Sequence, residues 1–149
     1  MNVKKFILFT VLLPLILTTS IGCQLVFEPS SDAVSRLFAS MPTGDTRVVR
    51  ELCDGEDVCK KLATLSSIIR SDWYNASKGF YNIKSIEIAA DTGRAYVHVD
   101  LILPTRSIGR DTNVELVFEM ERIKLRWHIY KVTGIEDFIR RAERERGDL

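Results

Sequence analysis

Apolar residues along this chain change their spacing three times, and each change opens a new kind of segment. Phe6 to Leu17 is an almost unbroken apolar run behind Lys4 and Lys5. It has no polar face, so it does not read as a helix packed on a soluble core. From Ser30 the spacing becomes that of amphipathic helices. Val34, Leu37, Phe38 and Met41 fall on one face, with Ser30 or Ser31 as N-cap and with Pro42 and Gly44 ending the helix. Asp45 caps a short second helix carrying Val48, Val49 and Leu52. A third starts near Asp54, where Glu56 and Asp57 suit the positive end of the helix dipole. Its stripe of Val58, Leu62, Leu65, Ile69 and Trp73 is the cleanest helical signal in the chain, and Asn75 to Gly79 closes it.

After Gly79 the period drops to two, which is the strand signal. Phe80 to Ala89 forms a first strand. The apolar parity slips between Ile83 and Ile86, which predicts a bulge near Lys84-Ser85. Asp91-Thr92-Gly93 makes a tight turn. Arg94 to Leu103 then alternates strongly, with Ala95, Val97, Val99, Leu101 and Leu103 on one face. Pro104 to Asp111 is a loop. Val114, Leu116, Phe118 and Met120 line the inner face of a third strand, and Leu125, Trp127 and Ile129 that of a fourth. Thr133-Gly134-Ile135-Glu136 reads as a capping box opening a last helix, with Ile135, Phe138, Ile139 and Ala142 on one side.

The N-terminal run is too short and wrongly flanked for a spanning helix, and it ends in Thr18-Thr19-Ser20-Ile21-Gly22-Cys23. This segment resembles the lipobox signal of bacterial lipoproteins, whose cysteine is acylated and becomes the new N-terminus. Gly22 and Cys23 match that pattern, Ile21 is tolerated, and Ser20 departs from it where Leu is usual. An ordinary secretory cut after Gly22 or Ser20 is the competing reading. The resemblance implies a signal peptide at 1–22, a lipidated tether at 23–30 and a single domain at 31–149. Acyl chains on Cys23 would give stable membrane attachment. Gln24, standing where Asp would signal inner-membrane retention, implies the outer membrane facing the periplasm.

Removing the signal leaves about 120 residues, enough for one core. The whole chain has a net charge of +1, and the mature part is close to neutral, so a basic nucleic-acid surface is not indicated. Lipidation of Cys23 leaves Cys53 and Cys59 as an even pair in an exported protein, where disulfides persist. The Asp54-Gly55 turn between them allows the chain to reverse. The alternatives are two free thiols or a thiolate metal site, and the latter lacks the paired spacings of zinc sites.

Helices first and an antiparallel meander after them predict an α+β domain. The N-terminal helices pack on one face of a four-stranded antiparallel curved sheet, with a C-terminal helix added. This order of elements is similar to the nuclear-transport-factor-2-like (cystatin-like) fold. Small bacterial lipoproteins of that superfamily often end in a strand pair like Val114–Phe118 and Lys124–Ile129, with a Trp such as Trp127. The last helix departs from the pattern. Enzymes of the superfamily carry acids, His or Tyr inside the cone. The inner positions here are aliphatic or aromatic, so no catalytic residue, cofactor or metal ligand is expected.

The polar groups fall on the other sheet face: His98, Asp100, Glu115, Glu119, Arg126, His128 and Tyr130. Tyr96, Ile102 and Val117 share it, which makes a half-apolar, aromatic surface suited to a partner or a second copy. Arg140, Arg141 and Arg144 on the last helix are a second candidate contact region, for an acidic partner or anionic head groups. The expectation is therefore a non-catalytic, lipid-anchored envelope module for protein interaction or assembly. The proposed partner-binding residues are Tyr96, His98, Tyr130, Arg140, Arg141 and Arg144. The alternative is a carrier of an apolar ligand in a pocket between helices and sheet.

Overall fold

The computed structural model of the chain describes residues 28–71, 74, 79–89, 92–103 and 112–147. The apolar N-terminal run, Cys23, Trp73 and the loop 104–111 lie outside the described residues. Helices α1 (Ser30–Ser40), α2 (Thr46–Leu52) and α3 (Glu56–Arg70) come first. Strands β1 (Tyr81–Ala89), β2 (Arg94–Leu103), β3 (Thr112–Ile123) and β4 (Arg126–Thr133) follow, and α4 (Ile135–Gly147) comes last. The strands form one curved, unclosed antiparallel sheet in the order β1-β2-β3-β4. This is the α+β architecture expected from the switch in apolar period.

The strand alternation has a direct structural consequence. Ala95, Val97, Val99, Leu101 and Leu103 of β2 face Met120, Phe118, Leu116, Val114 and Thr112 of β3 in register, and the apolar members of both rows are almost wholly buried. Helices cover that inner face. Phe38 of α1 packs on Phe80, stacks on Tyr81 at 4.6 Å between ring centroids, and meets Phe118 edge-on at 5.7 Å. Val58, Leu62, Leu65 and Ile69 form the buried face of α3. Ile135, Phe138 and Ala142 bury α4, and the Phe138 ring lies against Tyr74.

The register of β1 shifts between Ile83 and Ser85, at the predicted bulge. A second shift, between Glu119 and Met120 of β3, places an extra residue at Tyr130 of β4. That bulge lets Tyr130 and Lys131 both bond Glu119 on the outer face and turns Val132 into the core.

Four boundaries differ from the sequence expectation. Pro29, not Ser30 or Ser31, is the N-cap of α1, and Ser30 is buried in the first turn. The periodic stripe reaches Trp73, but α3 stops at Arg70 because Ser71 turns extended. Leu125 is not an inner β4 residue: it sits in the turn with φ 71° and is 55 % exposed. The capping box does not form, because Thr133 is still in β4. Gly134 takes φ 86° and accepts the Phe138 N–H on its carbonyl. Glu136 instead binds Lys61 of α3; Asp57 first and Glu136 next hold that lysine's pKa up, and Lys61 holds Glu136 down.

Cys53 and Cys59 form a disulfide with Cα atoms 5.2 Å apart. Cys53 ends α2 and Cys59 lies in the first turn of α3. Between them Asp54 donates its N–H to the Ile129 carbonyl at 2.8 Å, and Cys53 bridges Ile129 in parallel. The disulfide thus holds a cover over the β4 edge, which would otherwise offer unpaired backbone groups. Reduction is expected to cost about 2 kcal/mol, the chain-entropy value for so short a loop. Urea unfolding with and without reductant checks the size. Faster hydrogen exchange at the Asp54 amide checks the place.

Candidate partner-binding surfaces

Alternation along β2 and β3 carries every second side chain to the outer face, which no described helix covers. Tyr96, His98, Asp100 and Ile102 form its central row, opposite Glu119, Val117, Glu115 and Asn113. His98 lies between two carboxylates: Nδ1 is 3.4 Å from Glu115 Oε1 and Nε2 is 3.8 Å from Glu87 Oε1. Lys84, the residue of the β1 bulge, reaches Asp100 and Glu115, each at 3.5 Å. The hydrogen bond from His98, followed by the charge of Lys84, holds the Glu115 carboxyl below the usual range. The result is an exposed charge network that salt weakens.

Beside it is an aromatic patch. The Tyr130 hydroxyl donates to Glu119 at 3.3 Å, and the Arg94 guanidinium lies over its ring, 5.7 Å from the centroid. Burial, with the charge of Glu119 next, pushes the Tyr130 phenol up, so it stays protonated and remains a donor. Tyr96 stands across from Glu119 in the β2–β3 register. Tyr96, His98 and Tyr130, the three outer-face residues singled out in the sequence, are therefore neighbours on one half-buried surface. Sequence reasoning missed Arg94 and Glu119 as their partners. Only the bulge at Tyr130 brings them together, and no turn residue marks it.

The arginines of α4 lie elsewhere. Arg140, Arg141 and Arg144 line an open cleft of about 400 Å³ with Asp137, Glu145, Leu103 and Thr112. Leu103 belongs to the buried inner row, so this cleft sits beyond the inner face, at the sheet end where β2 stops and β3 starts. Asp137 accepts from Arg140 and from Arg141, the latter at 2.8 Å. These bonds, Arg140 first, hold its carboxyl down. The six proposed residues thus divide into two surfaces that cannot touch the same small epitope.

His128 pairs with Glu121 in the β3–β4 register, whereas His98 stands opposite Val117. That places the two histidines about 13 Å apart along the strand. Among the described residues no group of three or more His, Cys, Asp or Glu side chains is placed to hold a metal ion. The inner residues Ala95 to Leu101 of β2 and Val114 to Met120 of β3 are 0–5 % exposed, so among the described residues these rows offer little open surface to a ligand between helices and sheet. A more apolar groove, about 520 Å³, lies instead between α2 and α3, with Val49, Cys59, Ala63, Arg50 and Arg70 in its lining.

No family model matches the chain and no curated protein matches it. Among solved structures it is similar to the intermembrane space region of the chloroplast protein ARC6. The identity is 16%, the match covers 70% of this chain and 92% of that chain, and the TM-score is 0.44. A likeness of that size carries no functional argument.

Proposed function

We propose that the chain is a lipid-anchored cell-envelope lipoprotein whose domain is a non-catalytic protein-interaction or assembly module. The observation that carries this reading is where the chemistry lies. The inner face is closed and apolar, while tyrosines, a guanidinium and paired charges are displayed on the uncovered outer face. Aromatic and arginine side chains of that kind are the usual anchors of protein interfaces. The anchor part of the proposal rests on the Cys23 signal pattern, which suits export and acylation. The carrier alternative would need an open space behind β2 and β3, and the packing there favours the interaction reading.

Tyr130→Ala and Tyr96→Ala test the module. Each should weaken capture of the partner by about 2 kcal/mol, roughly thirtyfold, if the ring is an interface anchor. The melting temperature should change little, since both rings lie outside the core. Co-purification from the native membrane, quantified against the unaltered protein, supplies the readout. Undiminished recovery from both variants would remove the outer face as the binding surface.

A further inference from the structure

The N-terminal segment enters the domain at one end of the sheet. The Trp127 indole N–H donates to the Glu28 carbonyl at 2.8 Å, and Arg36 grips the Glu28 and Glu51 carboxylates. The Arg122 guanidinium lies 4.6 Å from the centre of the Trp127 ring. Trp127 is the second residue of β4, so Glu28 is fixed beside the β3–β4 turn. Cys23 is five residues earlier, at most about 18 Å of extended chain.

The same end of the sheet carries exposed apolar side chains. The large ones exposed among the described residues are Ile123 (41 %) and Leu125 (55 %) at the β3–β4 tip, with Ile86 (42 %) and Ile88 (65 %) in the half of β1 that points the same way. The tip reads Arg122-Ile123-Lys124-Leu125-Arg126, apolar and cationic residues alternating without an acid. Lys124 and Leu125 have φ of 47° and 71°, a left-handed turn that Asn-Gly would occupy at lower cost. A bulky leucine is thus held out into solvent where a glycine would fit better. The arginine cleft of α4 lies at the opposite end of the sheet, roughly 30 Å away along the strands.

We propose that the β3–β4 tip docks on an anionic phospholipid surface, with Ile123 and Leu125 inserted between head groups and Lys124 and Arg126 on the phosphates. This deepens the membrane-anchored reading and rests on it for the side of the domain that meets the bilayer. Docking would present the α4 cleft and the outer sheet face away from the lipid, toward partners.

The test uses the full chain in detergent, in phosphatidylcholine vesicles, and in phosphatidylcholine vesicles containing phosphatidylglycerol. Hydrogen exchange is read at residues 122–126 and flotation is read in parallel. Exchange at the tip should slow only with phosphatidylglycerol. Lys124→Glu should reverse that slowing by roughly fivefold or more, the usual weight of one basic residue at such a surface. The double variant Lys124→Asn, Leu125→Gly should melt higher than the unaltered chain yet lose the protection, which separates docking from folding. Equal tip exchange in all three media, in a chain that floats, would overturn docking and leave the anchor standing. A chain that does not float with pure phosphatidylcholine but floats and gains tip protection with phosphatidylglycerol present would remove the anchor and keep the tip. Neither flotation nor protection would remove both.

Discussion

Gly134→Ala is expected to cost about 4 kcal/mol or more, at the far end of single-residue effects. Gly134 joins β4 to α4 with φ 86°, a conformation that costs an L-residue roughly 1–2 kcal/mol. Crowding adds to this. A Cβ built there would lie 2.2 Å from the Glu115 carbonyl oxygen and 3.4 Å from Leu116 Cδ2. The backbone of β3 cannot yield without breaking the register that pairs Val117 with Thr133. If α4 yields instead, Ile135 and Phe138, both 0 % exposed, leave the core. A fall in melting temperature of roughly 15–20 °C follows for a domain of this size. Gly55→Ala is the matched control. Its φ is 87° with ψ 142°, a region almost confined to glycine, but nothing lies within 4 Å of the added carbon, so only the conformational cost of roughly 1–3 kcal/mol should appear. Equal losses in the two variants would show that the approach of Gly134 to Glu115 is not what makes that position glycine.

Phe38→Ala is expected to cost about 3–5 kcal/mol, the range for removing a fully buried aromatic. The ring is 0 % exposed and touches three others, Phe80, Tyr81 and Phe118. It therefore fixes α1 to β1 and β3 together. Its loss should also loosen the entry of the chain, because Glu28 and Arg36 are placed by the same helix. Two readouts are linked: a lower urea midpoint, and a change in Trp127 fluorescence as its bond to the Glu28 carbonyl weakens. Phe38→Leu keeps most of the volume and should cost less than half as much. A Phe38→Ala variant as stable as the parent would show that α1 is not held on the sheet by this cluster.

Most of the sheet was legible because burial on one face enforces period two. Ala95 to Leu103 and Val114 to Met120 follow it without a break, and the slip between Ile83 and Ile86 marks the bulge that Lys84 occupies. The disulfide was legible from parity of the cysteines and the Asp-Gly turn. What was not legible depends on local geometry without a composition signal. Leu125 continues the apolar parity of Trp127 and Ile129, yet Lys124-Leu125 is the turn itself and contains neither Gly nor Asn. The Tyr130 bulge is equally silent, although it decides that Tyr130 and Lys131 share a face. Thr133 and Glu136 have capping-box spacing, but strand pairing claims Thr133 and Lys61 claims Glu136.

The candidate surfaces divide in the same way. Outer-face membership of Tyr96 and His98 follows from alternation alone. The place of Arg140, Arg141 and Arg144 depends on how α4 turns at Gly134 and packs against α3, which is a tertiary fact. Period therefore separates inside from outside, while only the fold shows that the arginine cleft and the tyrosine patch are different surfaces.

Native mass spectrometry of the protein extracted gently from its own membranes tests the central claim most directly. The account predicts a chain that begins at Cys23, carries acyl chains, keeps the Cys53–Cys59 bond, and holds a protein partner or second copy that Tyr130→Ala releases. An unacylated chain recovered alone, with Tyr130→Ala changing nothing, would contradict both the anchor and the interaction module.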